Sequence, residues 1–284
     1  MANSLFDERW LSKGIIDVGR SDGEQKRTVS LTVDERHIAM LTLNRPEALN
    51  AISQELAADL LAVCGTVSTR NDIRAVIVTG AGDRAFCAGA DLKERRGLSG
   101  EERAGHTVAI EAAAEALAAL QMPTVAAIRG YALAGGAELA IACDLRVASE
   151  DARLGFPEVK IGIFPGAGGA LRLPRIVGGG AARDLLFTGR QVTAEEALRI
   201  GLVDRVVPPE SVLETARELA ASIAANAPLA VRAVKRALED SHALPRTDAR
   251  RVVNALRAAL DDTEDYEEGL LAFAQRRAPR FTGR

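Results

Sequence analysis

Thr124-Val125-Ala126-Ala127-Ile128-Arg129-Gly130-Tyr131-Ala132-Leu133-Ala134-Gly135-Gly136-Ala137-Glu138-Leu139-Ala140-Ile141-Ala142-Cys143-Asp144 reads as a strand, a loop and a short helix in quick succession. Thr124 to Ile128 is a continuous β-branched and alanine run, the pattern of a strand covered on both faces. Gly130 marks the turn, and the spacing predicts a helix from about Gly135 to Cys143. Asp144 to Ala148 then reads as a further strand. Upstream, Pro123 ends an alanine-rich helix expected to run from the loop at Asp91 to about Leu120. Ala75-Val76-Ile77-Val78-Thr79-Gly80 is another short apolar run suited to a buried strand. Val29-Leu31-Val33 and Ile38-Met40-Leu41-Leu43, separated by Asp34-Glu35-Arg36, make a β-hairpin ending at Asn44-Arg45-Pro46. Ser53 is placed to cap a helix with apolar positions Leu56, Leu60, Leu61 and Cys64.

After about Gly189 strands nearly stop, with Val203 to Val207 expected as the last. Helices are expected over Glu210–Ala225, Pro228–Glu239, Thr247–Leu260 and Thr263–Arg277, with apolar positions such as Val253, Leu256 and Leu260 facing either their own body or another subunit. The fold class is therefore α/β, in three parts. Residues 1–27 form an extension, residues 28–190 an α/β core, and residues 191–284 a mainly helical region. In the extension, Leu5, Phe6, Trp10, Ile15 and Ile16 are positioned to dock onto the body.

The chain has 284 residues, 48% hydrophobic and 26% charged, the balance of a globular protein with a substantial core. A net charge of −3 argues against nonspecific nucleic-acid binding, which requires a basic face. Cys64, Cys87 and Cys143 lie in apolar contexts without metal-ligand or disulfide spacing, and His37, His106 and His242 are scattered, so no metal site is expected. The first residues are polar and mixed in charge, with no apolar core of a secretory signal, and no stretch is long and apolar enough to span a membrane. The chain reads as cytoplasmic.

Two carboxylates stand out. Glu138 and Glu158 each lie in an apolar, glycine-rich stretch, where an ionised side chain is costly unless paired. Nearby, Ala85-Phe86-Cys87-Ala88-Gly89-Ala90-Asp91-Leu92-Lys93 is a loop of small residues that lets a ligand approach the main chain. Gly135-Gly136 opens a helix whose first N–H groups lack internal partners and favour anions. One amide from each stretch can converge on a developing oxyanion, and loss of one such donor costs about 2.7–4 kcal/mol of transition-state stabilisation. Val78-Thr79-Gly80-Ala81-Gly82 also follows a strand but lacks the glycine continuation and the distal acid of a dinucleotide fingerprint.

Together these segments resemble the crotonase (enoyl-CoA hydratase/isomerase) superfamily from about Thr28 to the C-terminus. The resemblance rests on Asn44-Arg45-Pro46 with Leu49-Asn50-Ala51, on the Ala85–Lys93 loop, on Gly130–Ala140, on Cys143-Asp144, and on Phe156-Pro157-Glu158 through Pro165-Gly166-Ala167-Gly168-Gly169. It implies a crotonase-like spiral of β-β-α turns with a C-terminal helical trimerisation region, assembled as a homotrimer or homohexamer. It implies that Ala90 and Gly135 supply the oxyanion hole for an acyl-CoA thioester. It further implies that Glu138 and Glu158 are the hydratase acid/base pair, adding water across the 2,3 double bond of a 2-enoyl-CoA. Coenzyme A is then part of the substrate and no separate cofactor is needed.

For substrate and CoA contacts the resemblance points to Ala88, Ala90, Asp91, Leu92, Lys93, Gly135 and Gly166, and by position to Phe273 and Arg276 in the tail, where Arg276 replaces the usual lysine. Asp91-Leu92-Lys93-Glu94-Arg95 and the tail look like the methylglutaconyl-CoA hydratase subgroup, which makes a branched dicarboxylic enoyl-CoA an alternative substrate. An isomerase or lyase on the same fold, and a non-catalytic RNA-binding or structural protein, are further alternatives. The RNA-binding helix of that subgroup is lysine-rich, whereas Ser53 to Thr69 here carries Glu55 and Asp59 and no Lys or Arg.

Overall fold

The computed structural model describes residues 27–284. The proposed docking of Leu5, Phe6, Trp10, Ile15 and Ile16 falls outside the described residues. The hairpin forms as expected, from β1 (Val29–Val33) and β2 (Ile38–Leu43). Asp34 Oδ1 accepts from the amides of Arg36 and Ile38, closing the turn. Parallel strands β3 (Ala75–Gly80), β5 (Thr124–Ile128) and β7 (Leu145–Ser149) follow, and β10 (Arg205–Val207) finishes a six-stranded sheet in the order β1-β2-β3-β5-β7-β10.

The apolar runs are continuous because both faces of this sheet are covered. On β3, Val76 and Val78 belong to one core with Leu56, Leu60, Val63 and Val67 of helix α1 (Gln54–Ser68), capped by the Ser53 hydroxyl. Ala75 and Ile77 face the opposite core with Val212, Ala216, Ala220 and Ala224 of α7 (Val212–Ala224). Fully burying one such leucine or valine contributes roughly 1.5–3 kcal/mol.

A second sheet was not legible in the sequence. Its strands β4 (Ala85–Cys87), β6 (Tyr131–Leu133), β8 (Arg153–Gly155) and β9 (Gln191–Thr193) have three residues each, too few to show alternation. Each successive turn gives one strand to each sheet before its helical segment: β3-β4, then β5-β6, then β7-β8. The first strands of these turns, β3, β5 and β7, therefore lie side by side in the large sheet. Residues 191–207, beyond the core boundary expected at 190, complete both sheets through β9 against β8 and β10 against β7.

The alanine-rich stretch after Asp91 is two helices, α2 (Leu92–Gly97) and α3 (Gly100–Ala118), rather than one. Ser99 stops continuation by forming a capping box with Glu102. Next come α4 (Gly135–Ala142), α5 (Gly169–Thr188) and α6 (Ala194–Arg199). Pro174 and the non-helical Gly178 (φ 77°, ψ 159°) interrupt α5, which is why its sequence does not read as a helix.

The late helices are α8 (Pro228–Ser241), α9 (Arg246–Ala258) and α10 (Glu264–Gln275). Lys235 anchors α8 to the body, its Nζ donating to Asp144 at 2.7 Å and to the Met122 carbonyl at 3.2 Å. The tail folds back on α10, where Asp265 accepts from the amides of Thr282 and Gly283.

Candidate active site

The Asn44–Ile52 segment supports the site from below. Asn50 is fully buried and in the left-handed region (φ 54°). Its Nδ2 donates to the carbonyls of Ala81 (3.0 Å) and Ala85 (2.8 Å), and its Oδ1 accepts from the Arg45 amide (2.9 Å). The Arg45 guanidinium bonds the Ala51 carbonyl and pairs with Asp91 at 3.0 Å. The motif that carried part of the sequence resemblance is thus a brace tying the hairpin exit to the strand–loop unit at 81–91.

Ala90 emerges from that unit beside the start of α4. Ile52 donates its N–H to Gly89 O (2.8 Å) and accepts from Asp91 N–H (2.9 Å), so the parallel bridge uses the residues flanking Ala90. The Ala90 amide stays outside the ladder. Gly135 is the first residue of α4, and its amide has no partner within the helix. The two loops meet closely because residue 89 is glycine at φ 97°. A Cβ on Gly89 would lie 2.8 Å from Ala134 Cβ and 3.4 Å from Gly135 N, and one on Gly135 would lie 3.8 Å from Ala90 N. Ala134 itself sits at φ 50°, ψ −128°, a conformation costly for alanine, immediately before this amide. The Ala90 and Gly135 segments thus pack against one another.

The two glutamates are both buried. Glu138 lies in the first turn of α4 and is 3% exposed, while Glu158, in the 3-10 turn Pro157–Ile161, is 4% exposed. Gly169, which opens α5, donates its amide to Glu138 Oε1 at 2.8 Å. The Glu138 carboxyl is raised to about 7: burial pushes it up most, the Gly169 amide pulls it down, and the Glu158 charge adds to the rise. Burial also raises Glu158, and its own backbone amide offsets part of that push. Neither Glu158 oxygen closes a hydrogen bond among the described residues. A buried carboxyl with both oxygens free is a group held ready for a water molecule or substrate.

The remaining predicted residues divide into those near this centre and those away from it. Ala88 donates its amide to Leu49 O (3.1 Å). Asp91 caps α2, with Oδ1 accepting from Lys93 and Glu94, and pairs with Arg45, so its carboxylate is already committed to the loop's own structure. Leu92 and Lys93 are exposed on α2. Gly166 is half-buried in the turn before α5, and a Cβ there would lie 3.5 Å from Thr107 Cγ2. Phe273 is 86% exposed and Arg276 caps the end of α10. Their tail is bound by Arg74, at the start of β3 and so at the opposite strand end from the loops above.

Two further residues act here with little local signal in the sequence. Gly169 closes the Pro165–Gly169 motif, and its signal is its place opening a helix after Gly168 in the left-handed region. His106, read as a structural residue, bonds the Ile52 carbonyl beneath the donor loop. The three cysteines are buried, with thiols pushed up to about 12 chiefly by burial, which leaves them inert as nucleophiles at neutral pH. Among the described residues no cluster of His, Cys, Asp or Glu is arranged to hold a metal ion.

The family model described as enoyl-CoA hydratase/isomerase matches residues 34–284. A short-chain-enoyl-CoA hydratase of Clostridium acetobutylicum is 40% identical over 86% of this chain and 93% of its own length. An (E)-benzylidenesuccinyl-CoA hydratase of Thauera aromatica is 42% identical over 87% of this chain and 96% of its own. Among solved structures, an enoyl-CoA hydratase from Bacillus anthracis superposes with a TM-score of 0.89 at 40% identity, covering 90% of this chain and 100% of that one. With the crotonase-like spiral observed and the family model spanning most of the chain, this protein belongs to the enoyl-CoA hydratase/isomerase family.

Proposed function

We infer that the protein is an enzyme that adds water across the 2,3 double bond of a 2-enoyl-CoA thioester to give the 3-hydroxyacyl-CoA. The observation that carries this reading is the pair of buried carboxyls, Glu138 tethered by Gly169 and Glu158 with both oxygens free, in a chain that also packs the Ala90 loop against the start of α4 at Gly135. Relatives similar over nearly the whole chain carry hydratase names, which supports the same reaction.

The proposed chemistry follows from charge flow. Conjugation to the thioester makes C3 electrophilic. As water oxygen bonds to C3, negative charge moves onto the thioester oxygen, where the Ala90 and Gly135 amides stabilise it. Glu138 takes a proton from the attacking water, and Glu158 delivers one to C2. The direct test is loss of the conjugated thioester absorbance on a panel of enoyl-CoAs. No turnover of crotonyl-, longer-chain or branched dicarboxylic substrates would sink the assignment. The reading calls for no resident cofactor, because coenzyme A arrives with the substrate.

One observation favours the branched dicarboxylic alternative. Arg95 donates from Nη2 to Thr107 Oγ1 at 2.9 Å, and Thr107 borders Gly166. The Arg95 guanidinium has no carboxylate partner among the described residues, which leaves it available to a carboxylate on the acyl tail. A higher kcat/KM for 3-methylglutaconyl-CoA than for crotonyl-CoA supports this reading, and the reverse order overturns it.

A homotrimer or homohexamer is part of the proposal. It is supported by a cleft of about 920 Å³ between α5 and α8 whose walls include Leu171, Val234 and Leu238, all exposed in the single chain. Phe273 and Arg276 would then contact CoA in a neighbouring copy rather than in their own. No described helix is long and apolar enough to cross a membrane. A cytoplasmic location, a role in fatty acid breakdown and independence from nucleic acid complete the proposal.

A further inference from the structure

His106 lies on α3 and is only 1% exposed. Its Nε2 is 3.0 Å from the Ile52 carbonyl oxygen. That same oxygen accepts the Asp91 amide, and the Ile52 amide donates to Gly89 O, so one residue grips both neighbours of Ala90. Ile52 Cδ1 also reaches 3.2 Å from where a Gly135 Cβ would stand, and Ile110, one turn along α3 from His106, reaches 3.7 Å from it. One face of α3 therefore backs both halves of the donor pair.

The bond dictates the ring's state. A carbonyl only accepts, so Nε2 must carry the hydrogen. Nδ1 has no partner among the described residues, and a second proton there would place a charge on a buried ring with no acceptor. Burial accordingly shifts the ring toward its neutral form, aided by Arg95 and opposed by Glu94, by the bond to Ile52 and, least, by Asp91. A buried polar ring with one nitrogen unpaired is expensive packing material. The single bond it does make falls on Ile52, the residue whose N–H and C=O hold the peptides on either side of Ala90.

We propose that His106, as the neutral Nε2–H tautomer, is a positioning residue for the oxyanion hole: by holding the Ile52 carbonyl it fixes the direction of the Ala90 amide. This rests on the hydratase reading above. It assigns His106 no contact with substrate. Oxyanion donors act only when aimed at the atom that gains charge, so a small tilt lowers turnover while leaving the rest of a long ligand's grip intact.

The test compares His106→Gln with His106→Met. Glutamine can present an N–H close to the position of the ring Nε2, whereas methionine has similar length and no donor. Two readouts separate aiming from mere folding. One is kcat against KM on crotonyl-CoA. The other is the affinity ratio of butyryl-CoA to S-butyl-CoA, which differ by the carbonyl that the donor pair would bind. His106→Met should lower both kcat and that ratio about tenfold with KM nearly unchanged, and His106→Gln should restore both to within about threefold of the parent. Equal kcat and equal ratios in the two variants would overturn the proposal. If His106→Met is recovered unfolded, His106→Asn replaces it, because its shorter amide falls short of Ile52 O. A parent protein with no preference for the thioester would overturn the hydratase reading itself, whereas a parent preference that survives in His106→Met overturns only the role of His106.

Discussion

The Gly169 amide holds Oε1 of Glu138 at 2.8 Å, joining the first residue of α5 to the first turn of α4. This contact orients one carboxyl of the proposed pair while Glu158 is left without a hydrogen-bond partner among the described residues. The two carboxyls are thus held differently: one is tethered, the other is not.

Removing either acid should cripple hydration. Glu138→Gln and Glu158→Gln each remove one proton-transfer group, an effect of roughly 10²–10⁴-fold on kcat. Steady-state turnover of crotonyl-CoA checks this, and near-parental rates in either variant would eliminate the two-acid scheme.

The raised Glu138 carboxyl predicts a pH signature in catalysis. As the base it must be ionised, so kcat/KM should climb as pH rises through about 7. Because the two carboxyls interact, the limb reports the pair as a unit. A rate profile that is flat from pH 5 to 8, taken as a window of about one to two units around that midpoint, would refute the assignment.

Stability should carry the opposite slope. The unfolded chain loses the Glu138 proton near the ordinary 4.5, and the folded chain keeps it until about 7. Between those values the native state binds more protons, so the free energy of unfolding falls as pH rises. Glu138→Gln should flatten this dependence, as measured by denaturant unfolding across the same window.

Glycine at position 169 should be strictly required. A Cβ there would stand 2.9 Å from Glu138 Oε1 and 3.1 Å from Pro165 Cβ. Gly169→Ala should therefore push the carboxyl out of place, costing about 1–3 kcal/mol of stability and a larger share of activity. Parental kcat in a folded Gly169→Ala protein would show that the tether does not matter.

The α8 anchor should be a stability feature alone. Lys235→Met removes the 2.7 Å ion pair to Asp144, which keeps its two bonds from Thr124. Loss of about 1–3 kcal/mol is expected, read by chemical denaturation, with kcat per folded site unchanged. A fall in kcat at full folding would mean that α8 communicates with the site.

The long apolar runs at Ala75–Gly80 and Thr124–Ile128 were readable from residues alone, since a strand covered on both faces must be apolar at every position. So were Ser53 as a cap and the candidacy of Glu138 and Glu158, because carboxylates among glycines and aliphatics are conspicuous. The three-residue strands of the second sheet were hidden, being shorter than any hydrophobic period, and Pro174 with Gly178 disguised α5. The capping role of Asp91 was not read from its motif, and His106 looked incidental but reaches a carbonyl 54 residues away in the chain. Local propensity and patterning belong to the chain itself. Aim and proximity, by contrast, arise only when segments distant in sequence pack together, and those two properties decide whether the Ala90 and Gly135 amides and the two acids can act as one site.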